Sequence, residues 1–381
     1  MKVLQVNIDD NTIAGLYQMI CRILRKKPED MVMDAAFVYP FKDESRIRRL
    51  EKYGAAVYDI GAYGKRFGKM MQVRKNLTDL LIEEGYDIVH IHSNDAYEMR
   101  MLAAAAKKAG VPKIILHVHA AQITGRYNLL KTIRHKILCR ALVMYGTEFA
   151  STSEASAKWM FPNIDDEDMI RIRDGISTAA YHFDETVRER IRDELDIPEK
   201  AMLIGNVSPF DHQSNHEFMM DVLAELMTKK PETMMLLVGD GALLKEVKQE
   251  SAAYGLSKNI IFYKGGKINE LMQAMDAFIF PGSTKDFSPV ILQAQAAGLP
   301  TFLSEQVPEE AKVIDTVEFL PVKKESELVW AEHIRKRRVT PKKRMQGAAR
   351  MKRAGYGIAR TIKSYVNLYQ LDEEDTESEE E

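Results

Sequence analysis

A chain of 381 residues is too long for one ordinary hydrophobic core and predicts two domains. With 45 % hydrophobic and 29 % charged residues its composition is that of a folded globular protein, and the sequence has no apolar run of about 18 residues that would predict a membrane-spanning helix. The N-terminus reads as a first strand rather than a signal peptide, and the two cysteines exclude a disulfide framework and offer no metal-ligand spacing, so we expect a cytoplasmic protein that needs no metal.

The formal net charge of −2 conceals an uneven distribution. Residues 372–381 carry eight acidic side chains and no basic one, so the rest of the chain has a net charge of +6. A segment of this composition cannot bury apolar surface, and we expect a disordered acidic tail. The tail either keeps the protein soluble or masks a basic surface of the same chain.

Short β-branched runs alternate with longer helical patterns in the first half of the chain. Gly110 and Pro112 end one helical pattern before the next strand begins. This alternation predicts a parallel sheet with right-handed crossovers. The expected strands cover residues 2–6, 31–38, 55–60, 88–92, 114–119, 149–153 and 170–173.

The alternation restarts after a polar, charged segment at 184–200. Two such halves predict an α/β protein with two Rossmann-like, doubly wound parallel-sheet domains, one over residues 1–174 and the other over 175–339. In sheets of this kind the carboxyl ends of the strands face the ligand. The expected strands of the second half cover residues 202–207, 234–238, 260–263, 277–280, 301–303 and 317–320.

Several sequence motifs in the second half indicate a particular family more specifically than the strand–helix alternation does. Residues 271–281 (LMQAMDAFIFP) and 294–300 (AQAAGLP) resemble stretches that frame the donor-sugar site in the family 4 (group 1) glycosyltransferases. The turn after one strand holds Gly239 and Gly241, which would let backbone N–H groups approach a ligand, although any strand–helix turn favours glycine. Further matches lie at 153–154, 158–159, 215–218 and 354–356.

The resemblance extends over about residues 1–371 and is greatest to transferases of bacterial capsular and exopolysaccharide assembly. It implies the GT-B architecture, in which two Rossmann-like domains face a cleft. The first domain would bind the acceptor and the second the donor nucleotide, such as a uridine-diphosphate sugar. A last helix, residues 351–371, would pack back on the first domain.

The donor site implied by this resemblance departs from the family pattern at both of its cations. An arginine and, five residues later, a lysine grip the donor diphosphate in the family, where they stabilise the charge that grows on the leaving group. The matching positions in this chain are Pro209 and Ser214, and neither side chain can serve as a cation.

Two family glutamates that lie beside the donor sugar and the ribose are also replaced. Their positions correspond to Lys285 and Gln293. Gln293 keeps an acceptor oxygen for a ribose hydroxyl, whereas Lys285 reverses the charge and could supply the missing cation.

The first domain departs too. Asn11 and Thr12 occupy the turn where the family has a glycine pair, and Asp174 replaces an asparagine at the end of the domain. His117 and His119 end a strand, as a similar pair does near the acceptor in the family. Histidines there could bind a ligand or transfer a proton, but a purely structural role is the alternative for each.

A basic segment at 126–140 places its apolar positions 130, 133, 137 and 138 on one helical face. That face either lies in the core or, since the family acts on lipid-linked acceptors, rests on the anionic inner leaflet of the membrane. A second basic run at 335–344 is interpreted as solvated surface. The chain has no recognisable nucleic-acid module.

Two interpretations remain open. One is a non-catalytic or weakly active family member that binds an active glycosyltransferase partner, a glycan or lipid-linked acceptor, or a membrane complex. The other is an active retaining transferase with a rewired nucleotide-sugar site that uses His119 and Lys285.

Overall fold

The computed structural model describes residues 1–9, 15–63, 68–121, 129–283 and 288–377. The strands are Lys2–Val6 (β1), Val32–Phe37 (β2), Val57–Asp59 (β3), Ile88–His92 (β4), Lys113–Val118 (β5), Glu148–Ser151 (β6), Met169–Arg171 (β7), Leu203–Val207 (β8), Met234–Val238 (β9), Ile260–Tyr263 (β10), Ala277–Phe280 (β11), Thr301–Ser304 (β12) and Val317–Leu320 (β13). The helices are Leu16–Leu24 (α1), Ser45–Lys52 (α2), Lys69–Glu84 (α3), Ala96–Ala109 (α4), Leu129–Leu138 (α5), Glu154–Met160 (α6), Glu185–Glu194 (α7), His216–Met227 (α8), Leu244–Ala253 (α9), Ile268–Ala274 (α10), Pro289–Ala296 (α11), Glu327–Lys336 (α12), Pro341–Arg344 (α13), Gly347–Met351 (α14) and Ile358–Glu377 (α15).

The chain divides into two compact units. The first comprises Met1–Asp174 and Ala359–Glu381, and the second comprises Gly175–Ile358. Each unit has a parallel sheet of its own, so the expected pair of Rossmann-like domains is confirmed.

The first unit contains a seven-stranded sheet in the order β3-β2-β1-β4-β5-β6-β7. Its strand order reverses at β1 and β4, which makes this the switch point where such sheets bind ligands. One face of these central strands is apolar, with Leu4, Val89 and Leu116 in a continuous core beside α3 and α4. The opposite face carries polar side chains at alternate positions, because successive residues of a strand point to opposite sides.

The second unit contains a six-stranded sheet in the order β10-β9-β8-β11-β12-β13. Its switch point lies between β8 and β11. Both faces of this sheet are apolar and covered, with Phe278 and Leu303 on one side and Ile279 and Phe302 on the other. This is the pattern of a parallel sheet buried between helices.

The final helix begins later than the sequence predicts. A helical segment from Gly347 to Tyr356 is interrupted at Gly355, whose φ of 91° lies in the left-handed region, and α15 starts only at Ile358. The helix then packs on the first unit through Tyr365, Leu368 and Tyr369, all at most 2 % exposed. It continues to Glu377, six residues into the segment where composition favours disorder, and residues 378–381 lie outside the described part.

Candidate functional site

Polar side chains converge on one face of the first sheet at its switch point. Gln5 of β1 lies in register with His90 of β4, and His92 of β4 lies in register with His117 of β5. All four side chains are fully buried, and His119 follows β5 directly. A buried polar group must find a hydrogen-bond partner or lose free energy, so the contacts among these side chains define their chemistry.

One branch of hydrogen bonds joins the centre of the sheet to its carboxyl edge. The Gln5 Oε1 atom accepts a hydrogen bond from His92 Nε2 at 3.0 Å. The Nδ1 atom of His92 must then be the acceptor of a neutral ring, and it lies 2.9 Å from Nε2 of His119. With this orientation of the Gln5 amide, His119 donates inward through Nε2 and leaves Nδ1 as an acceptor.

The second branch starts from the other end of the same amide. Gln5 Nε2 donates to the Tyr369 hydroxyl at 2.7 Å, and that hydroxyl lies 2.9 Å from Nδ1 of His90. Nε2 of His90 lies 3.1 Å from Nδ1 of His117. The branch ends at Nε2 of His117, a buried atom without a hydrogen-bond partner among the described residues.

Burial keeps these rings neutral. It lowers the pKa of His119 to about 3 and lowers the pKa values of His90, His92 and His117 well below the usual range, because the charged imidazolium cannot be solvated there. A histidine with so low a pKa is a weak base. The ring of His119 is therefore suited to accept a hydrogen bond from a ligand hydroxyl more than to remove a proton.

The histidines also satisfy one geometric condition for a metal site. One ring nitrogen each of His90, His92 and His117 can be chosen so that all three lie within 4.8 Å of one another. The rings pack closely, however, with centroids 4.2 Å apart for the tilted pair His90 and His92 and 4.1 Å apart for the stacked pair His117 and His119. Hydrogen bonds already engage both nitrogens of His90 and His92 and one of His117, so a hydrogen-bonded network accounts for the cluster.

A buried carboxylate lies beside this network and was not found from the sequence. Glu98, near the start of α4, accepts hydrogen bonds from Ser93 (2.6 Å), Tyr39 (2.9 Å) and Asn7 (3.0 Å). Burial raises the pKa of Glu98 in spite of these donors. Asn7 also donates to the carbonyl of His92 at 2.8 Å, so the cluster fixes the carboxyl end of β4.

Four positions were predicted for the acceptor side, and only two of them, His117 and Asp174, lie among the described residues. His117 is fully buried inside the network. Asp174 ends the first segment of that unit, and its negative charge adds to the burial that raises the pKa of Tyr365 in α15. Asn11 and Thr12 lie outside the described residues.

In the second unit, the loop between β8 and α8 is closed by its own hydrogen bonds. The Ser214 hydroxyl donates to the carbonyl of Pro209 at 2.6 Å and also contacts the Asp211 carboxylate at 3.0 Å. Asp211 in turn accepts from the backbone N–H groups of Gln213 and Ser214, each at 3.0 Å. Ser214 is only 4 % exposed, so the position predicted to correspond to the family lysine serves the turn itself.

Phe210 of this loop and His216 at the start of α8 are buried as well. Phe210 is fully buried and stacks on His216 with ring centroids 4.2 Å apart. Burial lowers the pKa of His216 to about 4, so this ring adds no positive charge at neutral pH.

Close backbone approach explains the glycines of the next turn. A Cβ atom on Gly239 would lie 2.0 Å from the carbonyl oxygen of Ser208, and one on Gly241 would lie 2.5 Å from that of Phe210. Gly282, after β11, meets Gln213 in the same way at 2.5 Å. The three turns therefore pack against one another, which accounts for these glycines without a ligand.

The remaining donor-site positions give little positive charge. Lys264 extends from the end of β10 and pairs with Asp240 at 2.7 Å. Gln293 is partly exposed on α11, and its amide makes no hydrogen bond with a described residue. Lys285, which the sequence predicts to correspond to a family glutamate, lies outside the described residues.

The AQAAGLP motif, residues 294–300, has a structural explanation in the second unit. A Cβ atom on Gly298 would lie 2.3 Å from the carbonyl oxygen of Arg344. The Arg344 guanidinium is buried and donates to the backbone carbonyls of Met272, Met275 and Ala297. This arginine ties the ends of α10 and α11 together, and burial lowers its pKa to about 9.

The basic helix α5 presents its apolar residues to solvent. Leu130, Ile133 and Ile137 are 76 %, 47 % and 66 % exposed, whereas His135 is buried and its Nε2 lies 3.1 Å from the Trp159 carbonyl. The exposed face thus differs from an ordinary core-facing stripe. Residues 126–128 of the predicted basic segment lie outside the described part.

None of the helices searched in the described chain is both long and apolar enough to cross a membrane.

Comparisons with known proteins agree with the fold. Residues 187–348 match the family model of the glycosyl transferases group 1. The chain is 22 % identical over 367 residues to the putative glycosyltransferase EpsF of Bacillus subtilis, covering 95 % of this chain and 94 % of that one. It is 24 % identical to the Vi polysaccharide biosynthesis protein VipC/TviE of Salmonella typhi, over 59 % of this chain and 40 % of that one.

Among solved structures, Anabaena HepE in complex with UDP and glucose matches with a TM-score of 0.74 at 15 % identity, covering 97 % of this chain and 99 % of that one. Two parallel-sheet Rossmann-like units with this likeness define a protein of the GT-B fold. The chain resembles the group 1 glycosyltransferases, whose family model matches residues 187–348.

Proposed function

We propose that this protein acts in the assembly of a bacterial cell-surface polysaccharide and is weakly active or non-catalytic on ordinary nucleotide-sugars. The polysaccharide context rests on the likeness to VipC/TviE, whose name states such a role. The nucleotide-sugar donor rests on the likeness to HepE, which was solved with UDP and glucose.

One observation supports the proposed loss of donor binding most directly. The Ser214 hydroxyl, at the position matching the family lysine, is bonded to the Pro209 carbonyl at 2.6 Å. Residues 203–215 contain neither lysine nor arginine, and Pro209 has no backbone N–H to offer a phosphate. A diphosphate leaving group would meet no positive charge from this loop, although its transition state requires such charge.

The acceptor side supports binding of a hydroxyl-rich ligand. His119 presents an unprotonated Nδ1 that could accept a hydrogen bond from a sugar hydroxyl. We infer that the protein holds a glycan or a lipid-linked acceptor at this edge, for an active glycosyltransferase partner or for its own slow reaction.

The exposed face of α5 favours a membrane location for that acceptor. Its three exposed apolar side chains alternate with Lys131, Arg134 and Lys136. Helices of this composition bind anionic lipid through apolar burial together with electrostatic attraction. We propose peripheral binding to the inner leaflet.

Calorimetry of the purified protein with uridine- and guanosine-diphosphate sugars tests the donor proposal, with transfer and hydrolysis assays alongside. We expect dissociation constants no tighter than about 1 mM, because losing two charged hydrogen-bond donors weakens binding on the order of 10²–10⁴-fold. Micromolar binding would contradict the proposal. Turnover lost in Lys285→Ala would establish the alternative, an active enzyme with a rewired site.

A further inference from the structure

A basic pocket lies on the first unit, away from both sites described above. It encloses about 270 Å³ and is lined by Arg74 from α3, by Arg100, Lys107 and Lys108 from α4, and by Tyr145. Four of its lining side chains are cations and none of the lining residues is acidic. Positive charges this close repel one another unless an anion joins them.

Arg100 shows where such an anion would bind. Its guanidinium donates through Nη2 to the Tyr145 hydroxyl at 3.3 Å and lies 5.6 Å from the centre of that ring. Its Nε atom is buried and has no hydrogen-bond partner among the described residues. A buried donor without a partner is destabilising, and an anion oxygen in the pocket would satisfy it.

Ordinary helix-end chemistry explains only part of this charge. Lys107 and Lys108 lie in the last turn of α4, where cations interact favourably with the helix dipole. Lys107 also donates to the carbonyl of Met144 at 2.6 Å. Arg100, however, lies about two turns earlier on the same helix, and Arg74 belongs to a different helix.

The pocket is also distinct from the predicted acceptor edge. The carboxyl edge of the sheet adjoins the beginning of α4, where Asp95 caps the helix, whereas the pocket lies along its later turns. A ligand in the pocket would therefore not be the acceptor bound beside His119.

We propose that this pocket binds a phosphate group. The planar fork of an arginine matches the oxygens of a phosphate, and lysines add positive charge without demanding one geometry. The phosphate could be free in solution or could belong to a lipid headgroup, since Val143 and Met144 next to the pocket are 48 % and 57 % exposed.

Calorimetry of the full chain with inorganic phosphate and pyrophosphate, at constant ionic strength, tests the free ligand. We expect Arg100→Gln to weaken binding at least about tenfold, since it removes a charged donor, and Lys108→Gln to weaken it by a smaller factor. Lys52→Gln, which removes an exposed cation of α2, is the matched control and should bind like the wild type. Because Lys108 is exposed, its variant keeps the test usable if Arg100→Gln does not fold.

Co-sedimentation with phosphatidylcholine vesicles, with and without phosphatidic acid, tests the lipid source. A lipid phosphate is indicated if phosphatidic acid recruits the protein, Arg100→Gln reduces this recruitment and Lys52→Gln does not. The proposal is overturned if neither phosphate nor phosphatidic acid binds, or if binding is equal in Arg100→Gln, Lys108→Gln and Lys52→Gln.

Discussion

His92 and His119 share a hydrogen bond of 2.9 Å between Nδ1 of the first and Nε2 of the second. The Nε2–H group of His92 donates to Oε1 of Gln5 at 3.0 Å, so Nδ1 of His92 must be an acceptor. The proton on Nε2 of His119 therefore points into the sheet. The same amide bonds Tyr369 of α15 at 2.7 Å. The orientation of the His119 ring at the carboxyl edge of the sheet is thus determined by a glutamine in the centre of the sheet and is linked to the final helix.

Replacing Gln5 by leucine should lower the free energy of unfolding by about 2–4 kcal/mol. The change removes the acceptor of His92 Nε2, which costs about 1–3 kcal/mol for a buried unsatisfied group, and it removes one of the two partners of the Tyr369 hydroxyl, which costs about 1 kcal/mol. Urea unfolding measures the loss. Gln72→Leu, which alters an exposed glutamine of α3, is the matched control and should change stability by about 0.5 kcal/mol or less. Equal effects in the two variants would contradict the network.

Stability should fall as the pH is lowered from about 6.5. The unfolded chain protonates its histidines near pH 6.5, whereas burial lowers the folded-state pKa of His216 to about 4 and that of His119 to about 3. Between these values the unfolded state binds more protons, so each such histidine costs up to about 1.4 kcal/mol per pH unit.

Urea unfolding at pH 7.5, 6 and 5 measures this dependence. His216→Phe keeps a ring beside Phe210 and should remove one histidine's share of the slope. His182→Phe replaces an exposed histidine and is the control. A slope that is unchanged in His216→Phe would contradict the assignment.

Strand positions could be predicted from the sequence because β-branched runs in buried parallel strands are short and bounded by turn residues. Of the thirteen strands among the described residues, seven differ from the prediction only at their ends, by one or two residues, and the others coincide. Helix α7 was not recognised within 184–200, since Val187 and Ile191 give it little apolar character. Arg188 of this helix nevertheless forms an ion pair with Asp276 at 2.6 Å, which holds helix α7 against the second unit.

The side-chain networks could not be predicted in the same way. Gln5, Glu98 and Tyr369 are distant in sequence, and only the fold brings them together. One signal was available: polar residues at alternate positions of a buried strand, as at His90 and His92, require partners on the same face. The roles of Ser214 and Gly239 in closing their turns depend on backbone distances that no sequence pattern contains.

Removing the acidic residues 372–381 should strengthen binding to anionic vesicles. The tail carries eight acidic side chains, and each basic residue of α5 near an anionic surface contributes about 1 kcal/mol. Co-sedimentation across a salt series measures the effect. A variant carrying Leu130→Gln and Ile137→Gln should bind less in either background, and Leu328→Gln, at a 51 % exposed position of α12, is the control. Vesicle binding that is unchanged by salt, by removal of the tail and by the Leu130→Gln, Ile137→Gln variant would contradict the membrane proposal.

Restoring the two cations of the donor loop should restore nucleotide binding. Pro209→Arg with Ser214→Lys reintroduces two charged hydrogen bonds to a diphosphate, each contributing roughly 1.5–3 kcal/mol, so affinity for UDP should rise on the order of 10²–10⁴-fold. The gain in affinity for UDP should lie near the lower end of this range. Lysine at 214 must first break the hydrogen bonds of the serine to Pro209 and Asp211.

Ser214→Ala separates these two effects. It removes the same hydrogen bonds without adding charge, so it should lower the free energy of unfolding by about 1–2 kcal/mol and leave UDP binding as weak as in the wild type. Calorimetry of the wild type, Ser214→Ala and the double variant gives the comparison. A different result is possible: the wild type already binds UDP-sugars at micromolar concentration, and Lys285→Ala abolishes this binding. In that case Lys285 supplies the cation that Pro209 and Ser214 do not. The enzyme is then active, and the non-catalytic proposal fails.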